Sequence, residues 1–152
     1  IIASGKNTSG FDMIRMIALG ADVIHSARAM MLALGCIQSK QCGNNTCPVG
    51  VATQNPRLFK QLDIEDKAER VYNYHTATVK NFVELVGAMG LANPSDILPS
   101  SVMRRISDHE VRYFDEIYDF IESGCLLNDA TIPARYRRFW EAATPDTFSF
   151  VH

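Results

Sequence analysis

IIASGKNTSGFDMIRMIALGADVIHSARAMMLALG, residues 1–35, decides the fold, because it reads as strand, loop, helix, strand, turn and helix in that order. Ile1 to Ala3 has the character of the end of a buried strand, and Ser4 to Gly10 is a turn-rich loop. Phe11, Ile14, Ala18 and Leu19 recur at helical spacing, which predicts a helix over Phe11–Leu19 with Gly20 as its C-terminal cap. Ala21–Ser26 returns as a short strand, Ala27 and Arg28 make the next turn, and Ala29–Leu34 has the composition of a second helix. A β-loop-α-β-loop-α order is the unit of a parallel sheet or barrel. The chain opens inside an apolar run and without methionine, so the expectation is a C-terminal piece of something longer, cut at a strand.

Directly after this unit come three of the chain's four cysteines, Cys36, Cys42 and Cys47, within a dozen residues. Gly43, Asn44 and Asn45 permit tight turns and left-handed backbone, and Pro48 keeps the chain from entering a helix straight after the third sulfur. Structural zinc takes four ligands, often from closely spaced cysteine pairs, and the loop offers neither a Cys-x-x-Cys pair nor a local fourth ligand. An iron-sulfur cluster tolerates irregular spacing ending in Cys-Pro, and a 3Fe-4S cluster needs three protein sulfurs. The spacing therefore favours a cluster over zinc; the plain alternative is unpaired thiols in a turn. A disulfide framework fits poorly, because three is odd and nothing points to secretion.

The remaining sequence narrows the class. With 47% apolar residues and a formal net charge of −2, the 152-residue chain can bury a core and carries no basic stripe for nucleic acid. Apolar runs are too short to span a membrane and no signal-peptide pattern opens the chain, so a soluble cytoplasmic protein is expected. Asp63 is placed to cap a helix from Ile64 to Met89, ended by Gly90 with Pro94 beyond. Its expected apolar stripe is Ile64, Ala68, Val71, His75, Val79, Phe82, Val86 and Met89, with His75 read as a hydrogen-bonded core histidine. Shorter pieces follow at Val102–Ile106, Asp108–Ile121 and Pro133–Ala143, giving a helical appendage and a tail from Pro145 expected to be mobile.

Several motifs together resemble a known family. Ala-Ser-Gly-Lys-Asn-Thr-Ser-Gly-Phe-Asp from Ala3, then Ala-Leu-Gly-Ala-Asp, Ser-Ala-Arg, Ala-Leu-Gly-Cys-Ile-Gln and Cys-Pro-Val-Gly-Val-Ala-Thr-Gln, are similar to the end of the FMN-binding synthase domain of glutamate synthase. The likeness continues more loosely through Tyr74-His75, Gly90-Leu91 and Asn93-Pro94 to about Leu127. It implies the last two β/α units of an eight-fold TIM barrel over residues 1–54, with the iron-sulfur loop, and a mainly helical extension over residues 55–152. It also implies FMN and a 3Fe-4S cluster held by Cys36, Cys42 and Cys47.

Barrel enzymes commonly bind phosphate with the loops after their last two strands. Ser4, Gly5 and Lys6 follow one strand, and Ala27 and Arg28 the next, so these five are the candidate FMN-phosphate residues. As bare motifs they would be an ordinary glycine-rich turn and a surface arginine; the resemblance is what favours the cofactor.

The implied activity is formation of glutamate from 2-oxoglutarate and ammonia, free or glutamine-derived. Electrons would enter from a reductase subunit, an NAD(P)H-linked donor or ferredoxin. The flavin-ring and substrate residues lie upstream in that family, so no catalytic acid, base or nucleophile is assigned, and this piece alone is expected to be inactive. Two other readings remain: the related methylamine-glutamate N-methyltransferase subunit, and a non-catalytic iron-sulfur or zinc module for electron transfer or docking. His25 at a strand end either faces the flavin or packs. Cys125 reads as a small buried hydrophobe and a distant fourth-ligand candidate, and Arg135, Arg137 and Arg138 beside Tyr136, Phe139 and Trp140 as a basic aromatic helix with a solvated face.

Overall fold

The computed structural model describes residues 1–148, which divide into two compact units, Ile1–Phe114 and the segment from Asp115 onward. The first unit opens with β1 (Ile2–Ser4), α1 (Gly10–Ala18), β2 (Val23–His25) and α2 (Ala27–Ala33). The strand and helix order read from the sequence is therefore present. The boundaries shift by one or two residues: Ser4 closes β1, Gly10 opens α1, β2 is confined to Val23–His25, and Ala27 and Arg28 are the first residues of α2, where the sequence suggested a turn. β1 and β2 pair in parallel with Ile2 opposite Val23, Ala3 opposite Ile24 and Ser4 opposite His25. Parallel pairing brings both strands to their ends side by side, so the loops that follow open on one edge.

α1 is fixed at its start by a capping box. Ser9 Oγ accepts the Asp12 N–H at 3.2 Å, and the Asp12 carboxylate accepts the Ser9 and Thr8 N–H groups at 3.1 and 3.0 Å. Ile14 and Ala18 point inward, and they are 2% and 1% exposed. Past the cysteine loop, α3 (Pro56–Phe59) leads into α4 (Ile64–Ala88), which packs on α1 and α2. Asp63 caps α4 by accepting the Asp66 N–H at 3.1 Å. Gly10 permits the close α1–α4 approach, because a Cβ there would stand 2.6 Å from the Phe82 nitrogen and 2.8 Å from its Cα.

The packed face of α4 is rotated from the expected stripe. Val71, Tyr74, Thr78, Phe82, Val86 and Met89 face inward, while Ile64, Ala68, His75 and Val79 are exposed. His75 is thus a surface residue, not a core histidine. Tyr74 ties this face to the loop before α1 by donating its hydroxyl to the Thr8 carbonyl at 2.6 Å, and the buried Thr78 satisfies its hydroxyl within the helix, on the Tyr74 carbonyl at 2.7 Å.

After α4 the chain forms an antiparallel hairpin where helical pieces were expected. β3 (Met103–Ser107) pairs with β4 (Glu110–Tyr113), with a register irregularity between Arg105 and Ser107. Nearly every hairpin residue is exposed, so neither face imposes the alternation by which strands are read. The short α5 (Phe114–Ile117) follows, and the second unit carries α6 (Ala134–Ala142). Within that unit Arg135 pairs with the Asp119 carboxylate and Arg137 donates to the Asp129 carbonyl at 3.3 Å, so these arginines tie chain segments together. Phe139 and Trp140 stay 57% and 45% exposed. In the tail, Thr144 and Thr147 pair across a turn, and residues 149–152 lie outside the described part.

Candidate functional site

The parallel register sets the geometry of the site. Ser4 and His25 end adjacent strands, so the loop from Ser4 and the start of α2 meet, and two hydrogen bonds lace them together. Asn7 donates its Nδ2 to the His25 carbonyl at 3.1 Å, and the Ser26 hydroxyl donates to the Asn7 carbonyl at 2.6 Å. Ser26 is thereby committed to the loop and makes no side-chain cap for α2. Gly5 at φ 116 and Lys6 at φ 53 give the loop a left-handed turn that brings backbone to the cavity edge.

A cavity of about 690 Å³ opens there, and its walls include Ser4, Gly5, Lys6, Ala27 and Arg28 together with Cys36, Cys42 and Cys47. All eight residues singled out in the sequence meet around one space. Lys6, Arg28 and Lys40 line it and no Asp or Glu does, so a chain of net charge −2 concentrates cationic groups at this place. His25 also lines it and is exposed.

The cysteine loop is built from backbone few residues adopt. Gln38, Lys40 and Asn45 have φ of 57, 58 and 58, and with Lys6 they complete the set of non-glycine residues at positive φ among the described residues. Such conformations persist only where surroundings over-determine them, and they gather at binding sites. Amides turn toward sulfur: the Gln38 N–H points at Cys36 Sγ, 3.4 Å away. Cys47 is 5% exposed. The backbone N–H groups of Ala52 and Val49, with those of Val51 and Gly50, hold its thiol below the usual range against the opposing effect of burial. Among the described residues no three His, Cys, Asp or Glu side chains converge as a single-ion site requires.

Some participants were missed in the sequence. Asn7 is 3% exposed, lines the cavity, and its Oδ1 is buried with no hydrogen-bond partner among the described residues. It lies inside the motif taken only as a turn, and its one signal was an amide side chain where the turn needed none. Lys40 was likewise passed over. Cys125 lines a different surface recess, with Asp119, Thr131 and Arg135, and is partly exposed; it is not a wall of the cysteine-lined cavity.

Fold and site together define an α/β chain whose strand-end loops and cysteine loop enclose one cationic, thiol-lined cavity. Residues 1–92 match the family described as a conserved region in glutamate synthase. A glutamate synthase large subunit-like protein, YerD, of Bacillus subtilis (strain 168) is 38% identical over 122 residues, covering 80% of this chain and 23% of that protein. The archaeal glutamate synthase (NADPH) of Methanocaldococcus jannaschii is 44% identical over 91 residues, 60% of this chain and 18% of its own length. The glutamate synthase (NADPH) large chain of Bacillus subtilis (strain 168) is 36% identical over 86 residues, 57% of this chain and 6% of its own. The chain belongs to the glutamate synthase family. It spans less than a quarter of each of these relatives. Among the described residues no helix is long and apolar enough to cross a membrane.

Proposed function

We propose that this chain supplies the closing β/α units of an FMN and iron-sulfur enzyme that forms glutamate from 2-oxoglutarate and ammonia. The observation that carries the reading is the shared cavity, in which cationic strand-end loops and three thiols face one space free of carboxylates. The donor set fits both groups. A phosphate suits backbone amides and cationic side chains, and Asn7 Oδ1 offers a buried acceptor to a hydrogen-bond donor. Cys36, Cys42 and Cys47 all line this cavity, and three thiolates are the protein ligands that a three-iron cluster would need.

When bound, FMN supplies hydride chemistry and the 3Fe-4S cluster supplies one-electron transfer to it. This chain's residues bind and orient. Ser4, Gly5, Lys6 and Ala27 present backbone and side-chain donors to the phosphate, and Arg28 adds a charge-assisted hydrogen bond worth about 1.5–3 kcal/mol. Cys36, Cys42 and Cys47 serve as thiolate ligands, and the amides around Cys47 stabilise its anionic form. No residue here is assigned a proton-transfer step.

The test is cofactor analysis of the intact polypeptide carrying this sequence, purified without oxygen. Iron, sulfide and stoichiometric FMN are expected, with iron lost from Cys36→Ser, Cys42→Ser and Cys47→Ser and retained by Cys125→Ser. One zinc and no flavin would replace this reading with a metal-binding module.

A further inference from the structure

Asn45 ends the 3₁₀ turn Cys42–Asn44 in the left-handed region, at φ 58 and ψ 24. Its side-chain oxygen accepts the Gln54 backbone N–H at 2.5 Å and lies 3.2 Å from the Thr53 hydroxyl. That hydroxyl donates to the Asn45 carbonyl at 2.7 Å and accepts the Asn55 N–H at 3.1 Å. Asn55 then caps α3 by accepting the Arg57 N–H at 3.0 Å. Residues 45–54 are thus a loop whose neck is closed by the Asn45 carboxamide and the Thr53 hydroxyl, with Cys47 inside it and α3 anchored at its exit. At the other end the Gly50 N–H donates to the Cys47 carbonyl at 3.2 Å, and Gly50 lies against the backbone of Leu58 and Phe59.

We propose that Asn45 is a positioning residue for Cys47: by clasping Thr53 and Gln54 it keeps the loop that carries this cysteine closed and the sulfur buried, and so sets the cluster's resistance to iron loss. This rests on the iron-sulfur reading above. Groups that orient a metal ligand govern how firmly it holds the metal. Cys47 is 5% exposed, and the loop that buries it closes where Asn45 meets Thr53 and Gln54. Asparagine suits the task because it tolerates left-handed backbone while its short amide bonds residues close by. Neither Asn45 nor Thr53 lines the cavity, so the clasp acts through Cys47 and not on the flavin.

The experiment compares the intact, anaerobically purified polypeptide with Asn45→Gly, Thr53→Val and Thr53→Ser. Asn45→Gly keeps the left-handed backbone and removes only the clasp; Thr53→Val removes the hydroxyl at equal size. Iron release to a chelator, alkylation of Cys47 in the metal-free protein, and FMN content are measured. Asn45→Gly and Thr53→Val are expected to lose iron roughly tenfold faster and to have Cys47 alkylated faster. Thr53→Ser should match the parent, and FMN content should be equal in all four. An iron-replete parent whose Asn45→Gly and Thr53→Val variants keep its release rate and its Cys47 protection overturns the proposal and leaves the cluster reading standing. Joint loss of FMN and iron marks a general structural role and overturns it too. An iron-free parent overturns the cluster reading and takes this proposal with it.

Discussion

Gly50→Ala puts a methyl group where the cysteine loop has no room. Gly50 sits at φ 78, and a Cβ there would stand 2.6 Å from the Leu58 carbonyl oxygen and 3.0 Å from the Phe59 Cα. Both neighbours are backbone, so neither can swing aside. Left-handed backbone costs a non-glycine residue about 1–2 kcal/mol. Forcing extra volume into a packed contact costs about 1–3 kcal/mol more, so the native turn loses roughly 2–5 kcal/mol relative to an opened one. Because the conflict lies between the loop and the short α3, away from the α1–α4 contact, the turn relaxes before the core does and Cys47 loses its burial. The intact polypeptide should therefore lose iron, and in the metal-free protein Cys47 should be alkylated faster than in the parent. Gly43→Ala is the internal control: that glycine is in the same loop, has no heavy atom within 4 Å of a built Cβ, and is not at positive φ. Parental iron content and Cys47 protection in Gly50→Ala would refute the reasoning, as would equal damage from Gly43→Ala.

Two further outcomes follow from α1 and α4. Asp12→Ala removes the acceptor for the Thr8 and Ser9 amides and should cost about 1–3 kcal/mol in denaturant unfolding. Burial raises the Asp12 pKa, but hydrogen bonds from Thr8 and Ser9 outweigh it and hold the carboxyl below its ordinary value near 3.8. The contribution is therefore complete above that value and disappears as pH falls through the lower folded one, so parent and variant should converge in acid; a gap that stays constant would contradict the assignment. Tyr74→Phe deletes the 2.6 Å bond to the Thr8 carbonyl, worth about 0.5–1.5 kcal/mol, and should speed amide hydrogen exchange around Thr8 while sparing the far end of α4.

Much of the site was legible because its signals are local. Ser4-Gly5-Lys6 had to turn, Cys36, Cys42 and Cys47 had to share a loop, and Asp63 had to start a helix, since each depends on residues only a few positions apart. Asn45 was legible as a left-handed turn residue, but its bond to Gln54 and the role of Asn7 beside His25 were not, because these partners become neighbours only when the loops close. The exposed hairpin at Met103–Tyr113 left no alternation to read.

By itself, then, the sequence determined the β-loop-α-β-loop-α order, the start of α4 and the thiol spacing, since capping, turn chemistry and helical period act along the chain. Tertiary structure alone decided that Tyr74 and Thr78 turn inward while His75 faces solvent, and that parallel register gathers Lys6, Arg28 and the three cysteines around one cavity. The physical reason is that register, close approach and satisfaction of buried polar groups are properties of two segments at once, and neither segment carries them alone.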